Sequence, residues 1–221
     1  MHRSIRKFLS FLFFLHLGLK LSAQVPPFQS HLFEKGTLVY SDDFDCTFDP
    51  ERWEPRSGTR WEVREGLLIG RPSSREFQEK HKEESDDHRG VGPVIRLNHL
   101  PGNFICHMRF KFEGEGFQAG RPKLDIGHHI NNLFFRKGGY SLKLSGGERF
   151  EDRQSGFQLN EWTDLVIELK EGKLLLVLNG HQRLFVSDQV SMKGRDEFTF
   201  KALMSPRSRL VFDYVRVWKG E

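Results

Sequence analysis

One stretch constrains this chain more than any other: residues 103–114, NFICHMRFKFEG. Phe104, Cys106, Met108, Phe110 and Phe112 share one parity, while His107, Arg109 and Lys111 share the other with Ile105. Successive side chains of a strand point to opposite faces, so this is a long strand with one face on a core. A second layer has to cover that apolar face. Other segments speak the same way. GTLVYSDDF predicts a first strand, and RWEVREGLLIG two short strands about Glu65-Gly66. NLFFRKGGYSLKL is a hairpin turning at Lys137-Gly138-Gly139. DLVIELKEGKLLLVLNGHQRLFV gives three strands with turns at Glu171-Gly172 and Asn179-Gly180, and Asn-Gly is the strongest short hairpin signal. RLVFDYVRVWKG closes the chain as a strand. No segment has the period of a long amphipathic helix. The expected fold is all-β, an antiparallel β-sandwich of the jelly-roll kind with its first and last strands paired.

Residues 71–92, RPSSREFQEKHKEESDDHRGVG, break the pattern. They are charged, almost free of apolar side chains and long for a loop. Such an insertion reads either as a solvated mobile loop or as a lid over a site. The chain opens MHRSIRKFLSFLFFLHLGLKLSAQ, with Arg3, Arg6 and Lys7 ahead of an apolar run and Leu-Ser-Ala before Gln24. This layout predicts a secretory signal peptide over 1–23, a sandwich over 24–221, and a secreted or periplasmic protein. The apolar run is short for a membrane span, and no later stretch is long and apolar enough for one. Four of the 34 basic residues and none of the 30 acidic ones lie in 1–23, so the remainder is balanced in charge. That leaves no basic footprint for nucleic acid. Cys46 and Cys106 either pair, as exported cysteines can, or Cys106 is a core residue of the alternating strand. The spacing of metal-binding or redox C-x-x-C pairs is absent.

Residues 123–129, KLDIGHH, hold the densest chemistry. Retaining glucanases of the laminarinase type carry E-x-D-x-E or E-x-D-x-x-E on one strand of a sandwich. Asp125 is similar to the middle Asp, but Lys123 stands at the first Glu and Gly127 and His128 at the second. Residues i, i+2 and i+4 share a strand face, here Lys123, Asp125 and Gly127. One carboxylate alone does not make the pair that glycoside hydrolysis needs.

The order DDFD…ERWE…RWEVREGLLIG, then NFICHMRFKFEG, NLFFRKGGYSLKL, LNEWTDLVIELKEGKLLLVLNG and LVFDYVRVWKG resembles the 3-keto-disaccharide hydrolase family over nearly all of 24–221. The most specific part is Glu161-Trp162 followed by two strands and Asn179-Gly180. Phe134, Phe135, Arg136, Gly139 and Tyr140 match the family's N-S-G-x-F-F-R and G-Y-E-V-Q patterns, whereas Ser141 replaces the Glu and Lys143 the Gln. The resemblance implies a concanavalin A-like jelly roll, a carbohydrate or oxidised sugar as partner, and a divergent member in which DDHRG and GHHIN frame the same strands.

A 3-keto sugar asks for a base that removes the acidified C2 proton, so that the C1 substituent leaves, and for a donor to the developing enolate oxygen. Imidazole suits the base. The expected catalytic groups are therefore His129, on the Asp125 face if the strand runs unbroken through Gly127, Asp125 to orient it, and His88 from the charged segment. Arg136, Tyr140, Trp61 and His128 are the expected substrate contacts. Trp53, Trp162 and Trp218 are further rings able to stack on sugar, with Trp162 and Trp218 read as core. The metal reading uses Asp125, His88, His128 and His129 as ligands of one divalent ion, with Gly127 as a bulge. A structural calcium would use Asp43 and Asp213. His107 and His181 read as surface or hydrogen-bonded residues. The alternative function is a non-catalytic carbohydrate-binding or cell-surface interaction module.

Overall fold

The computed structural model describes residues 28–127, 129–190 and 196–221. The expected signal peptide and His128 lie outside the described residues. Two antiparallel sheets stack face to face, as the alternation requires. Sheet I contains β1 (Gly36–Asp42), β3 (Arg60–Arg64), β4 (Leu67–Arg71), β6 (Phe104–Glu113), β11 (Thr163–Lys170), β12 (Lys173–Leu178), β13 (His181–Val186) and β15 (Arg209–Gly220). Its order is β13-β12-β11-β6-β15-β4-β3, with β1 also on β15, so the first and last strands pair as expected. Sheet II contains β2 (Trp53–Pro55), β5 (Val94–Leu97), β7 (Lys123–Ile126), β8 (Asn131–Arg136), β9 (Gly139–Lys143), β10 (Arg149–Asp152) and β14 (Phe198–Lys201). Its order is β10-β9-β8-β7-β14-β5-β2.

The even residues of β6 from Phe104 to Phe112 are buried between the sheets, Cys106 among them. Cys106 and the exposed Cys46 are both unpaired, so the disulfide alternative falls away. Phe110 packs edge-on against Phe135 and Phe200 of sheet II at centroid distances of 5.6 and 5.7 Å. A bulge between Phe212 and Tyr214 reverses the parity of β15. Phe212, Val215 and Val217 therefore all face the core, and Trp218 faces out. Ile105, the apolar exception in the alternating strand, is explained on that outer face. It and Trp218 are buried under Phe28, Leu32 and Phe33. Glu168 holds this N-terminal strap, accepting hydrogen bonds from Ser30 Oγ at 2.7 Å and from the backbone N–H of Leu32 at 2.9 Å.

The 71–92 segment is more ordered than a solvated loop. It forms α1 (Arg75–Lys80), capped by Ser74 Oγ accepting from the Phe77 N–H, and α2 (Asp86–Arg89), closed by Gly90 in the left-handed region. Ser, Asp and Glu at the helix starts and Gly at the second end carry the usual helix signals. They went unread because both helices are shorter than two apolar repeats. Their placement brings α2 against sheet II.

Candidate functional site

The outward face of sheet II is built by the parity of β7. Leu124 and Ile126 go to the core, so Lys123 and Asp125 point away from it. Asp125 lies beside Asn132 of β8 and Thr199 of β14, and Lys123 beside Phe134 and Lys201. Three of these side chains, Lys123, Asp125 and Lys201, form one charged cluster with α2. Asp125 is almost completely buried, its side chain 1% exposed. Lys123 Nζ reaches one carboxylate oxygen at 2.8 Å, and Lys201 Nζ and His129 Nδ1 approach the other at 3.5 and 3.3 Å. Lys201 also contacts Asp87 of α2 at 3.2 Å, and Arg121 pairs with the same carboxylate.

Burial weakens the charged form of each cation. It holds the Lys123 and Lys201 ammonium groups below the usual lysine range, with Asp125 opposing the shift. It lowers Arg121 to about 10, again against the pull of Asp125. Isolated charges this deep would be unaffordable, but here every cation has a carboxylate partner. Around this cluster, Thr199 Oγ1 and Arg121 Nη1 are buried without a hydrogen-bond partner among the described residues.

The expected residues divide. Asp125 and His129 stand together, but not by strand alternation. β7 stops at Ile126, Gly127 takes φ +69° and His129 φ +69°, and the Ile130 N–H donates to the Gly127 carbonyl. The chain turns back and brings the imidazole, 57% exposed, over the carboxylate. His88 does not join them. Its side chain is 72% exposed and its ionic contact is to Glu84 of its own segment, 3.8 Å away; its neighbour Asp87 is the residue that reaches the cluster. Tyr140 is no sugar platform: it is 2% exposed and sits in the core, because β9 turns its even residues inward. Trp61 belongs to sheet I and lies across Gly70, where a side chain would collide with its ring, with Nε1 donating to Thr59 Oγ1. Trp53 is also in the core. Trp162, read as core, is instead a partly exposed ring under Arg109 and Lys111. Arg136 does lie on the outward face, its guanidinium 5.5 Å from the centre of the Phe134 ring.

The two metal readings fare differently from the His129–Asp125 pair. Asp43 is taken by Arg216 and Asp213 by Arg109, so they do not share a calcium site. Among the described residues no three His, Cys, Asp or Glu side chains converge to hold an ion. Sequence reasoning missed Asp87, Arg121, Thr199 and Lys201, and assigned no role to Lys123. The charge-rich DDHRG was the signal for Asp87. Lys201 ends a four-residue strand, too short for a period.

Beyond Phe134 the face opens into a pocket of about 290 Å³ lined by Phe134, Arg136, Ser141, Lys143, Arg149 and Glu151. Parity again places these residues: β8 sends Phe134 and Arg136 outward, β9 sends Ser141 and Lys143, and β10 sends Arg149 and Glu151.

No family model matches the chain, and no curated protein matches it. Solved structures do match in fold. The catalytic domain of an endo-1,3-β-glucanase (laminarinase) from Thermotoga petrophila is 16% identical with a TM-score of 0.53, over 85% of this chain and 99% of that one. LamA from Z. galactanivorans, solved with laminaritriose and laminaritetraose, is 12% identical with a TM-score of 0.55, over 85% and 100%. An endo-β-galactosidase from Clostridium perfringens is 14% identical with a TM-score of 0.56, over 87% of this chain and 66% of that one. The architecture is thus the concanavalin A-like sandwich of such glycosidases.

Proposed function

We propose that this chain is an exported carbohydrate-active protein that works at the outward face of sheet II, and that it cleaves 3-keto-glycosides by proton abstraction. The observation that carries the reading is the buried Asp125 carboxylate, which gathers the exposed His129 imidazole and the largely buried Lys123 and Lys201 ammonium groups around it. His129, oriented by Asp125, takes the C2 proton; the electron pair moves into the C3 carbonyl, and the Lys123 or Lys201 ammonium donates to the enolate oxygen. The C1 substituent then leaves, and water adds to the unsaturated product. Solved structures of the same fold include enzymes acting on glucans and galactosides, and the sequence resemblance to 3-keto-disaccharide hydrolases supports the finer assignment.

Ordinary hydrolysis by a carboxylate pair fits less well. Asp87 and Asp125 both hold the Lys201 ammonium, at 3.2 and 3.5 Å, which occupies the space a scissile bond between them would need. A non-catalytic sugar-binding module is the second reading, favoured by Ser141 and Lys143 in place of the family's Glu and Gln. Turnover assays on 3-keto-glucosides and on the parent glycosides separate the two. Turnover of the keto sugar that drops by a hundred-fold or more in His129→Ala supports the enzyme. Sugar binding without turnover, unchanged in that variant, would sink it.

A further inference from the structure

We infer that the glycan recognised here is acidic, carrying carboxylate or sulfate groups, and that the pocket over β8, β9 and β10 is its anion-binding subsite. This rests on reading the outward face of sheet II as the sugar-binding surface. Arg136, Lys143 and Arg149 line the pocket, and among the described residues none of the three has a salt bridge. The single carboxylate of that lining, Glu151, is already paired with Arg153 at 2.9 Å. Elsewhere on the same face the charges are matched. Arg96 lies against Glu54 and Glu197, both at 3.3 Å, and Arg121, Lys123 and Lys201 share Asp87 and Asp125. Unmatched positive charge is therefore concentrated on one half of the sheet.

The surroundings suit a sugar more than a bare anion. Phe134 stands between Lys123 Nζ, 5.8 Å from its ring centre, and the Arg136 guanidinium, 5.5 Å away. A pyranose C–H face can lie on that ring while its acidic substituent meets either cation. Thr199, Asp125, Asn132, Lys143 and Arg149 form one cross-strand row. At about 4.8 Å between strands the row is roughly 19 Å long, enough for several sugar units laid across the sheet. Neutral glycans would leave the three free cations desolvated and unmatched, whereas an acidic one neutralises them.

Matched polymers test this by affinity electrophoresis and calorimetry at about 0.15 M salt, where surface charges are screened beyond roughly 8 Å. Polygalacturonate is compared with its methyl ester, and carrageenan with agarose; polyphosphate serves as a polyanion without sugar. The expected result is binding of one charged member at least ten-fold tighter than its neutral counterpart. The pair showing it tells carboxylate from sulfate. The double variant Lys143→Gln, Arg149→Gln should lose roughly ten-fold for that polymer, while Lys173→Gln, Lys219→Gln on sheet I should not. Equal binding of charged and neutral members overturns the inference and leaves the carbohydrate reading intact. Polyphosphate binding as tightly as the acidic glycan also overturns it. Failure of every polymer in a wild-type chain that still turns over the 3-keto-glucoside overturns the inference alone; failure of both the polymers and the keto sugar overturns the reading it rests on.

Discussion

At the residue scale, the cluster around Asp125 behaves as one unit, because each member is tolerable in the interior only through the others. Asp125→Asn removes the carboxylate and leaves Lys123 and Lys201 buried without their shared partner. Breaking such a pair costs about 3–5 kcal/mol, so urea unfolding should show a loss of that order, and any keto-sugar turnover should fall with it. A loss below about 1 kcal/mol would mean the site is wetter than its burial indicates. The lysines also predict a pH effect. Burial lowers Lys201 from 10.5, so between its folded value and 10.5 the unfolded chain binds more protons. Stability contributed at this position therefore rises with pH across that alkaline window, and below it the cost of the buried ammonium is fully present. Compared by urea titration with Lys201→Met, the wild-type chain should gain ground as pH climbs toward 10.5.

At the element scale, the 71–92 segment shows how a charged insertion becomes part of a site. Its helices are too short to be stable alone, and no residue of either is buried. They are held by their caps and by Asp87, whose bonds to Arg121 and Lys201 pin α2 to sheet II. Gly90 closes α2. It takes φ +64°, and a Cβ there would meet the Ser57 carbonyl oxygen and the Ser73 side chain. Gly90→Ala should cost roughly 1–3 kcal/mol from the strained backbone alone. Hydrogen exchange should show the 74–90 amides losing protection first. The long strands were readable from their alternation, as β6 was, but α2, β5 and β14 were not. Val94–Leu97 and Phe198–Lys201 are four-residue strands buried mostly on both sides, and so few residues leave no period to count.

At the scale of the whole molecule, stability resides in the aromatic layer between the sheets. Phe110 touches Phe112, Phe135, Phe200 and Phe212 within a fully buried cluster. Phe110→Ala should destabilise by about 3–5 kcal/mol, seen as a shift in the urea midpoint with an unchanged slope. A smaller loss would show that the sheets close over the cavity. The same layer leaves sheet II free to spend its outer face on charge, while the outer face of sheet I is partly covered by the strap that Glu168 holds.

The sequence by itself determined which faces of the long strands are apolar, and hence that two layers must meet. It also placed Asp125 and His129 in one short stretch. Tertiary structure alone decided what surrounds them. The turn at Gly127 brings His129 back over Asp125, and the pairing of β7 with β14 sets Lys201 beside them. Asp87 and Lys201, separated by 114 positions, meet because α2 folds onto that strand pair. Tyr140 and Trp61 were lost from the site by the same cause. Alternation is a local property of the chain, whereas which strands become neighbours, and which parity faces the core, depends on contacts made at long range.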